Sequence, residues 1–106
     1  MTGPAGRTLD GFTRDYRIAF LRYLARREEV ALAAGYALGR AAVAEGVSLL
    51  ELVQIHHEVL SAALTGGRPD EVEATSAAAS SFLLEVLAPF DMAQRRLLEP
   101  DPPPTT

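Results

Sequence analysis

The sequence contains no cysteine, no lysine and only two histidines, and each of these shortages excludes a class of site. Without cysteine the chain can form neither a disulfide framework nor a thiolate metal site. His56 and His57 are adjacent, and adjacent side chains on a helix point about 100° apart, so they cannot share a metal ion. The glycine pair Gly66 and Gly67 lacks the spacing and the lysine of a phosphate-binding loop. We therefore predict no metal site, no cofactor and no small-molecule substrate.

The sequence also lacks the segments that would direct a chain into a membrane or out of the cell. No apolar run follows its first residues, so we predict no secretory signal. No stretch of about 18 uncharged apolar residues could span a bilayer. Serine, histidine and aspartate all occur, but no nucleophile elbow accompanies them, which argues against a hydrolytic triad. These absences favour a cytoplasmic protein without catalytic activity of its own.

Positive charge is scarce, because 10 basic residues face 14 acidic ones and the net charge is −4. Such a chain lacks the basic surface that releases counterions from nucleic acid, so we predict no nucleic-acid partner. The local exception is the N-terminal third, where Asp15, Glu28 and Glu29 offset only part of the positive charge. We interpret this run as the solvated face of a helix. Its basic residues are Arg14, Arg17, Arg22, Arg26 and Arg27.

What the sequence does have is much alanine and a helical spacing of apolar residues. We predict an all-α domain over residues 9–99, folded as an up-down antiparallel four-helix bundle because short connections favour antiparallel neighbours. Residues 1–8 are predicted to be disordered, and residues 100–106 to form a proline-rich tail or linker. Pro89 is expected to bend the last helix. The predicted helices lie near Leu9–Ala25, Glu28–Glu45, Ser48–Gly66 and Asp70–Glu99.

Two of these helices carry the clearest apolar faces. The third begins with a capping box, in which the Ser48 hydroxyl accepts from the Glu51 amide and the Glu51 carboxylate reaches back. Its predicted stripe is Leu49, Leu52, Val53, His56, Val59, Leu60 and Ala63. The predicted face of the first helix is Phe12, Tyr16, Ala19, Phe20, Tyr23 and Leu24.

The second helix is built mostly of small residues, which allow another helix to approach closely. Ala31, Gly35 and Gly39 are spaced by four and therefore share one face. Two interpretations stay open for them: tight packing inside the bundle, or the seam of a homodimer. Arg40 and the short length of the helix argue against a membrane span.

The two histidines differ in their predicted surroundings. His56 lies within the apolar stripe and is expected to be a core residue with one hydrogen-bonding partner. His57 lies at its edge, as an ordinary surface residue, a partner contact or a phosphorylation site. The run from His57 to Ser61 faintly resembles the H-E-x-x-T/S-P box of histidine kinases, although Leu60 and Ala62 depart from it. A phosphotransfer or kinase dimerisation domain acting through His57 is therefore one alternative, and a purely structural dimerisation bundle is another.

Two segments, VSLLELVQIHHEVL from Val47 to Leu60 and FLLEVLAPFDMAQRR from Phe82 to Arg96, together carry a family resemblance. They are similar to the third helix and the last helix, respectively, of the N-terminal domain of RsbU-type phosphatases. Arg40 stands where the family has an arginine late in its second helix. The spacing fits without large gaps from about Asp10 to Leu98. The resemblance implies a helical bundle of the KaiA/RsbU class, usually dimeric.

In the resembled family this domain is regulatory. It captures the switch kinase RsbT and thereby activates a metal-dependent phosphatase domain, which leads to release of a stress sigma factor. This sequence holds no such phosphatase domain, so we expect either an excised domain or a free-standing relative. We predict a homodimer with its seam at Ala31, Gly35 and Gly39. The predicted docking surface for an RsbT-like kinase is Gln54, His57, Glu58, Phe90, Asp91 and Arg95.

Overall fold

A computed structural model describes residues 8–98, which form helices and no strand. This confirms the prediction of an all-α, four-helix domain. Within the described residues no helix is long and apolar enough to cross a membrane. The predicted disordered start, apart from Thr8, and the proline-rich tail lie outside the described residues. The elements are α1 (Leu9–Ala25), α2 (Glu29–Glu45), α3 (Leu49–Gly66), a 3-10 helix (Pro69–Glu71) and α4 (Val72–Leu98).

Local side-chain chemistry sets where the helices begin and end. At the start of α1 the Gly11 amide donates to the Thr8 hydroxyl at 3.1 Å. At the start of α3 the Glu51 amide donates to the Ser48 hydroxyl, and the Ser48 amide donates to the Glu51 carboxylate, both at 3.0 Å. The predicted capping box is therefore confirmed. Gly46 ends α2 with a φ of 79°, a left-handed conformation that other residues rarely adopt.

The most extensive helix–helix interface joins α2 to α4, which run parallel. Gly35 of α2 lies against Phe82 of α4, and Gly39 lies against Val86, so the two helices advance in the same direction. This agrees with an up-down bundle, in which the second and fourth helices point the same way. However, α2 and α3 make little direct contact, although a short connection joins them. Around the bundle the described helices therefore follow the order α1, α2, α4, α3.

The centre of the core is Phe82 of α4, which is fully buried. The Tyr16 ring meets it edge-on with centroids 5.3 Å apart, and the Phe20 ring does so at 5.6 Å. Tyr23 approaches the same ring at 6.1 Å. These separations fall in the range that favours aromatic pairs, and the contacts join α1 to α4. Every residue of the predicted α1 face is buried or packs against the core, so that prediction is confirmed.

The buried face of α3 differs from its predicted stripe on one side. His56 and Val59 are buried as predicted, but Leu49 is 51% exposed and Val53 is 44% exposed. Ile55, which lies outside the predicted stripe, is buried instead. The reason is that α3 packs against α1 and α4 but barely against α2. None of the described helices therefore covers the side of α3 that carries Leu49 and Val53.

The last helix, α4, continues through Pro89 without interruption. Pro89 is buried, and its ring lies beside Gly39 of α2. Proline has no amide hydrogen, so it donates no helical hydrogen bond to the carbonyl of Glu85, four residues earlier. The missing bond is the physical reason for the bend predicted at this position, which stays a prediction.

Candidate functional site

A tyrosine and a histidine meet inside the bundle, between α1 and α3. The Tyr16 hydroxyl oxygen and His56 Nδ1 are 2.8 Å apart, with Tyr16 fully buried and His56 only 8% exposed. The rings of Tyr16 and Phe20 both stand edge-on to the imidazole. The prediction that His56 is a core residue with a hydrogen-bonding partner is confirmed. His57 is the histidine that reaches the surface.

Burial decides which atom donates in this pair. Burial raises the pKa of Tyr16, so the hydroxyl keeps its proton at neutral pH and donates it to the hydrogen bond. Burial also lowers the pKa of His56 below its ordinary value of 6.5, and the charge of His57 lowers it further. The neutral imidazole accepts through the lone pair on Nδ1. The pair therefore joins α1 to α3, and its burial keeps both side chains away from the surface, where another molecule could bind.

Acidification is expected to weaken the fold through His56. Because its pKa is lower in the folded chain, the unfolded chain binds a proton that the folded chain does not, once the pH falls below about 6.5. This contribution to stability is complete above pH 6.5 and is lost as the pH falls toward the folded-state pKa. The free energy of unfolding should fall by up to about 1.4 kcal/mol per pH unit for this one proton. Urea unfolding at a series of pH values measures the slope.

The matched control for this slope is the variant His56→Gln. Glutamine can still accept a hydrogen bond from Tyr16 but does not titrate. Its stability should lack the part of the slope that begins near pH 6.5, whereas both chains should lose stability at lower pH where carboxylates bind protons. Parallel curves for the two chains between about pH 5 and pH 7 would contradict the role given to His56.

The predicted docking residues of α3 lie on its exposed side. Gln54, His57 and Glu58 are all exposed, and His57 Nε2 lies 3.5 Å from the Ser61 hydroxyl oxygen. The apolar side chain of Leu50 is 69% exposed. It lies one helical turn before Gln54, on the same uncovered side of α3. Exposed apolar and polar groups thus lie side by side on this part of α3.

The predicted docking residues of α4 are less uniform. Asp91 and Arg95 are exposed and form an ion pair, with 3.0 Å between Arg95 Nε and Asp91 Oδ2. Phe90 is half-buried and packs against the core, so only part of its ring is available to a partner. Among the described residues no hydrogen bond or ion pair joins this group to the docking residues of α3.

The three residues of the predicted dimer seam fall in two different places. Gly35 and Gly39 are buried under α4, against Phe82 and Val86. They therefore serve tight packing inside the bundle, the first of the two interpretations, and the fold leaves neither on the surface for a second copy. Ala31 is half-buried and lines a groove between α1 and α2.

The groove between α1 and α2 has a volume of about 640 Å³ and was not predicted from the sequence. Its lining is mostly apolar and includes Ile18, which is 45% exposed, and Val30, which is 81% exposed. On the α2 side, Ala31 and Ala34 leave room for a partner to approach closely. The run of small residues in α2 is the only sequence signal that could have indicated it.

The described surface offers features for binding and none for metal chemistry. No group of three histidine, aspartate or glutamate side chains between residues 8 and 98 is close enough to hold a metal ion. The exposed carboxylates Glu28, Asp70 and Asp91 each form an ion pair with an arginine. The exposed face of α3 and the groove between α1 and α2 are therefore the candidate functional surfaces.

Comparison with known protein families finds one match that covers most of the chain. The model for the N-terminal domain of phosphoserine phosphatase RsbU matches residues 14–93, from the middle of α1 to the last turns of α4. Comparison with curated proteins and with solved structures finds no match.

Proposed function

Because the chain belongs to the family of RsbU N-terminal domains, we propose that it is a regulatory domain that binds an RsbT-like switch kinase. The matched domain is the regulatory part of that phosphatase, and the matched residues span all four helices. The proposed setting is a cytoplasmic partner-switching pathway that controls a stress sigma factor. Kinase docking would alter the geometry of the domain and of whatever is attached to it.

The observation that carries this proposal, beside the family, is the uncovered side of α3. Because α2 packs against α4, α3 is left with exposed Leu50 and Val53 next to exposed Gln54, His57 and Glu58. Exposed apolar residues beside polar groups give a partner both area to bury and hydrogen bonds to align it. We propose this part of α3, together with Phe90, Asp91 and Arg95 of α4, as the kinase-docking surface.

We also propose that the domain acts as a homodimer. Because Gly35 and Gly39 are buried, we place the dimer interface at the groove between α1 and α2. There, exposed Ile18 and Val30 flank Ala31 and Ala34. Small residues let helices of two copies approach closely, and the apolar flanks would leave water on association. A change in the packing of two copies is a direct way for a docked kinase to transmit a signal.

Removing two side chains from the α3 surface is expected to weaken kinase binding. In the double variant His57→Ala, Glu58→Ala, affinity for an RsbT-like kinase should fall about tenfold or more, because central contact residues each contribute about 1 kcal/mol or more. Calorimetry or a quantitative pull-down with the purified kinase measures the change. Both residues are exposed, so the fold should remain intact.

The matched control is Glu73→Ala, which removes an exposed carboxylate near the start of α4, away from the proposed surface. Its affinity should equal that of the wild type. Equal binding by the wild type and the double variant would show that the α3 surface is wrong. A monomeric mass by light scattering on the same samples would contradict the proposed homodimer.

A further inference from the structure

The C-terminal parts of α2 and α4 form a second groove, with a volume of about 660 Å³. These parallel helices touch where Pro89 lies beside Gly39, and residues of both helices beyond that contact line the groove. The Tyr36 hydroxyl of α2 reaches the Met92 sulfur of α4 at 3.9 Å. We call it the arginine groove, defined by Arg40, Arg95 and Arg96 together with apolar Val43, Met92 and Leu97.

The apolar residues of the arginine groove are open to solvent. Met92 is 48% exposed and Leu97 is 86% exposed. Apolar groups that line a concave surface are in contact with water, and the free energy falls when a partner covers them. The groove is therefore a place for an apolar side chain of another molecule.

The described residues that line the arginine groove carry charge of one sign. Among the described residues, three arginines and no carboxylate line it, although the whole sequence has a net charge of −4. Arg95 is bound to Asp91, but Arg40 and Arg96 form no ion pair with any described residue. Two guanidinium groups without an ion-pair partner among the described residues, beside an apolar cavity, create a local positive potential that attracts an anionic partner.

On the basis of the docking role proposed above, we propose that the arginine groove binds an acidic amphipathic helix of a protein partner. Apolar residues spaced by three and four along such a helix would fill the groove. Its flanking carboxylates would meet Arg40 and Arg96, whose planar donors match a carboxylate. A free phosphate would leave the apolar lining in water. Nucleic acid needs a broader basic surface than this acidic chain has.

A synthetic peptide tests this pairing. It has about 18 residues, enough to form a helix, with leucine along one face and glutamate on both flanks. Fluorescence anisotropy should show saturable binding to the wild type that weakens as salt is added. The double variant Arg40→Glu, Arg96→Glu should bind at least about tenfold more weakly, because two attractive contacts become repulsive.

Two further variants separate the contributions. Arg17→Glu reverses an exposed arginine of α1 outside the groove and should bind the peptide like the wild type. Met92→Glu places a charge in the apolar lining and should weaken binding while leaving all three arginines in place. Circular dichroism confirms that each variant is folded. A peptide with glutamine in place of glutamate should bind at least about tenfold more weakly to the wild type.

Several results would overturn the proposal. One is equal binding of the acidic peptide by the wild type and the Arg40, Arg96 variant; another is equal binding of the acidic and glutamine peptides. Inorganic phosphate, phosphatidylserine vesicles and a second copy of the chain are tested in the same way. If one of these bound the wild type and lost affinity in the Arg40, Arg96 variant while the acidic peptide did not bind, the acidic helix would be the wrong occupant. A kinase that binds the wild type and the variant equally overturns the groove and leaves the docking function standing. Peptide binding without any kinase binding overturns the docking function alone.

Discussion

Replacing Gly39 with alanine is expected to lower the free energy of unfolding by about 3 kcal/mol or more, or to prevent folding. The added methyl group would overlap the carbonyl oxygen of Val86 and lie 3.1 Å from Pro89 Cδ. A side chain can rotate away from such an overlap, but a backbone carbonyl held in a helix cannot. The helices α2 and α4 would have to separate along the largest interface of the bundle. Urea unfolding followed by circular dichroism measures the loss.

Two other glycines provide controls for this result. A methyl group at Gly35 would lie 3.1 Å from the Phe82 ring, which can shift slightly, so we expect Gly35→Ala to cost about 1 kcal/mol. Gly66, at the end of α3, has nothing within 4 Å of the same position. Gly66→Ala should leave stability unchanged or raise it by up to about 1 kcal/mol. Similar losses in all three variants would mean that the contact at Gly39 is not the cause.

Truncating Phe82 to alanine is expected to cost about 3–5 kcal/mol, the range for removing a buried aromatic ring. Phe82 is fully buried and is contacted by the rings of Tyr16, Phe20 and Tyr23 on one side. Gly35 lies against it on the other. These partners come from two helices and cannot all move into the vacated space. Since a domain of this size is stable by only about 5–15 kcal/mol, the variant should unfold at much lower urea concentration.

Leu84→Ala is the matched control on the same helix. Leu84 is 68% exposed, two residues from Phe82, and its truncation should change stability by no more than about 0.5 kcal/mol. Comparing the two variants separates the effect of the buried ring from any effect of substituting alanine in α4. A loss at Phe82 no greater than that at Leu84 would show that the aromatic cluster does not hold α1 to α4.

Much of the fold could be predicted from local signals because those signals act within a few residues. The capping box at Ser48 and Glu51, the start of α1 and the end of α2 depend on atoms no more than about one helical turn apart. The aromatic face of α1 repeats at helical spacing and is buried as predicted. His56 was assigned to the core for the same reason, and its partner Tyr16 completes the pair.

The candidate surfaces were harder to predict because each depends on which helices are neighbours. Arg40 and Arg96 are 56 residues apart in the numbering, and only the parallel contact of α2 with α4 brings them to one groove. Leu49 and Val53 fit an apolar stripe by spacing, yet they are exposed because α2 lies beside α4 and leaves this side of α3 uncovered. Spacing identifies an apolar face but does not identify the partner that covers it.

The sequence by itself determined that this chain is helical, where α1 and α3 begin, where α2 ends, which face of α1 is buried, and the family to which it is similar. These properties follow from hydrogen bonds and side-chain spacing within single helices. Only the tertiary structure decided that Gly35 and Gly39 pack against α4 of the same chain and not against a second copy. Small residues permit close approach by any helix, and the choice depends on the shape of the approaching surface. Phe82, Val86 and Pro89 of the same chain provide that surface.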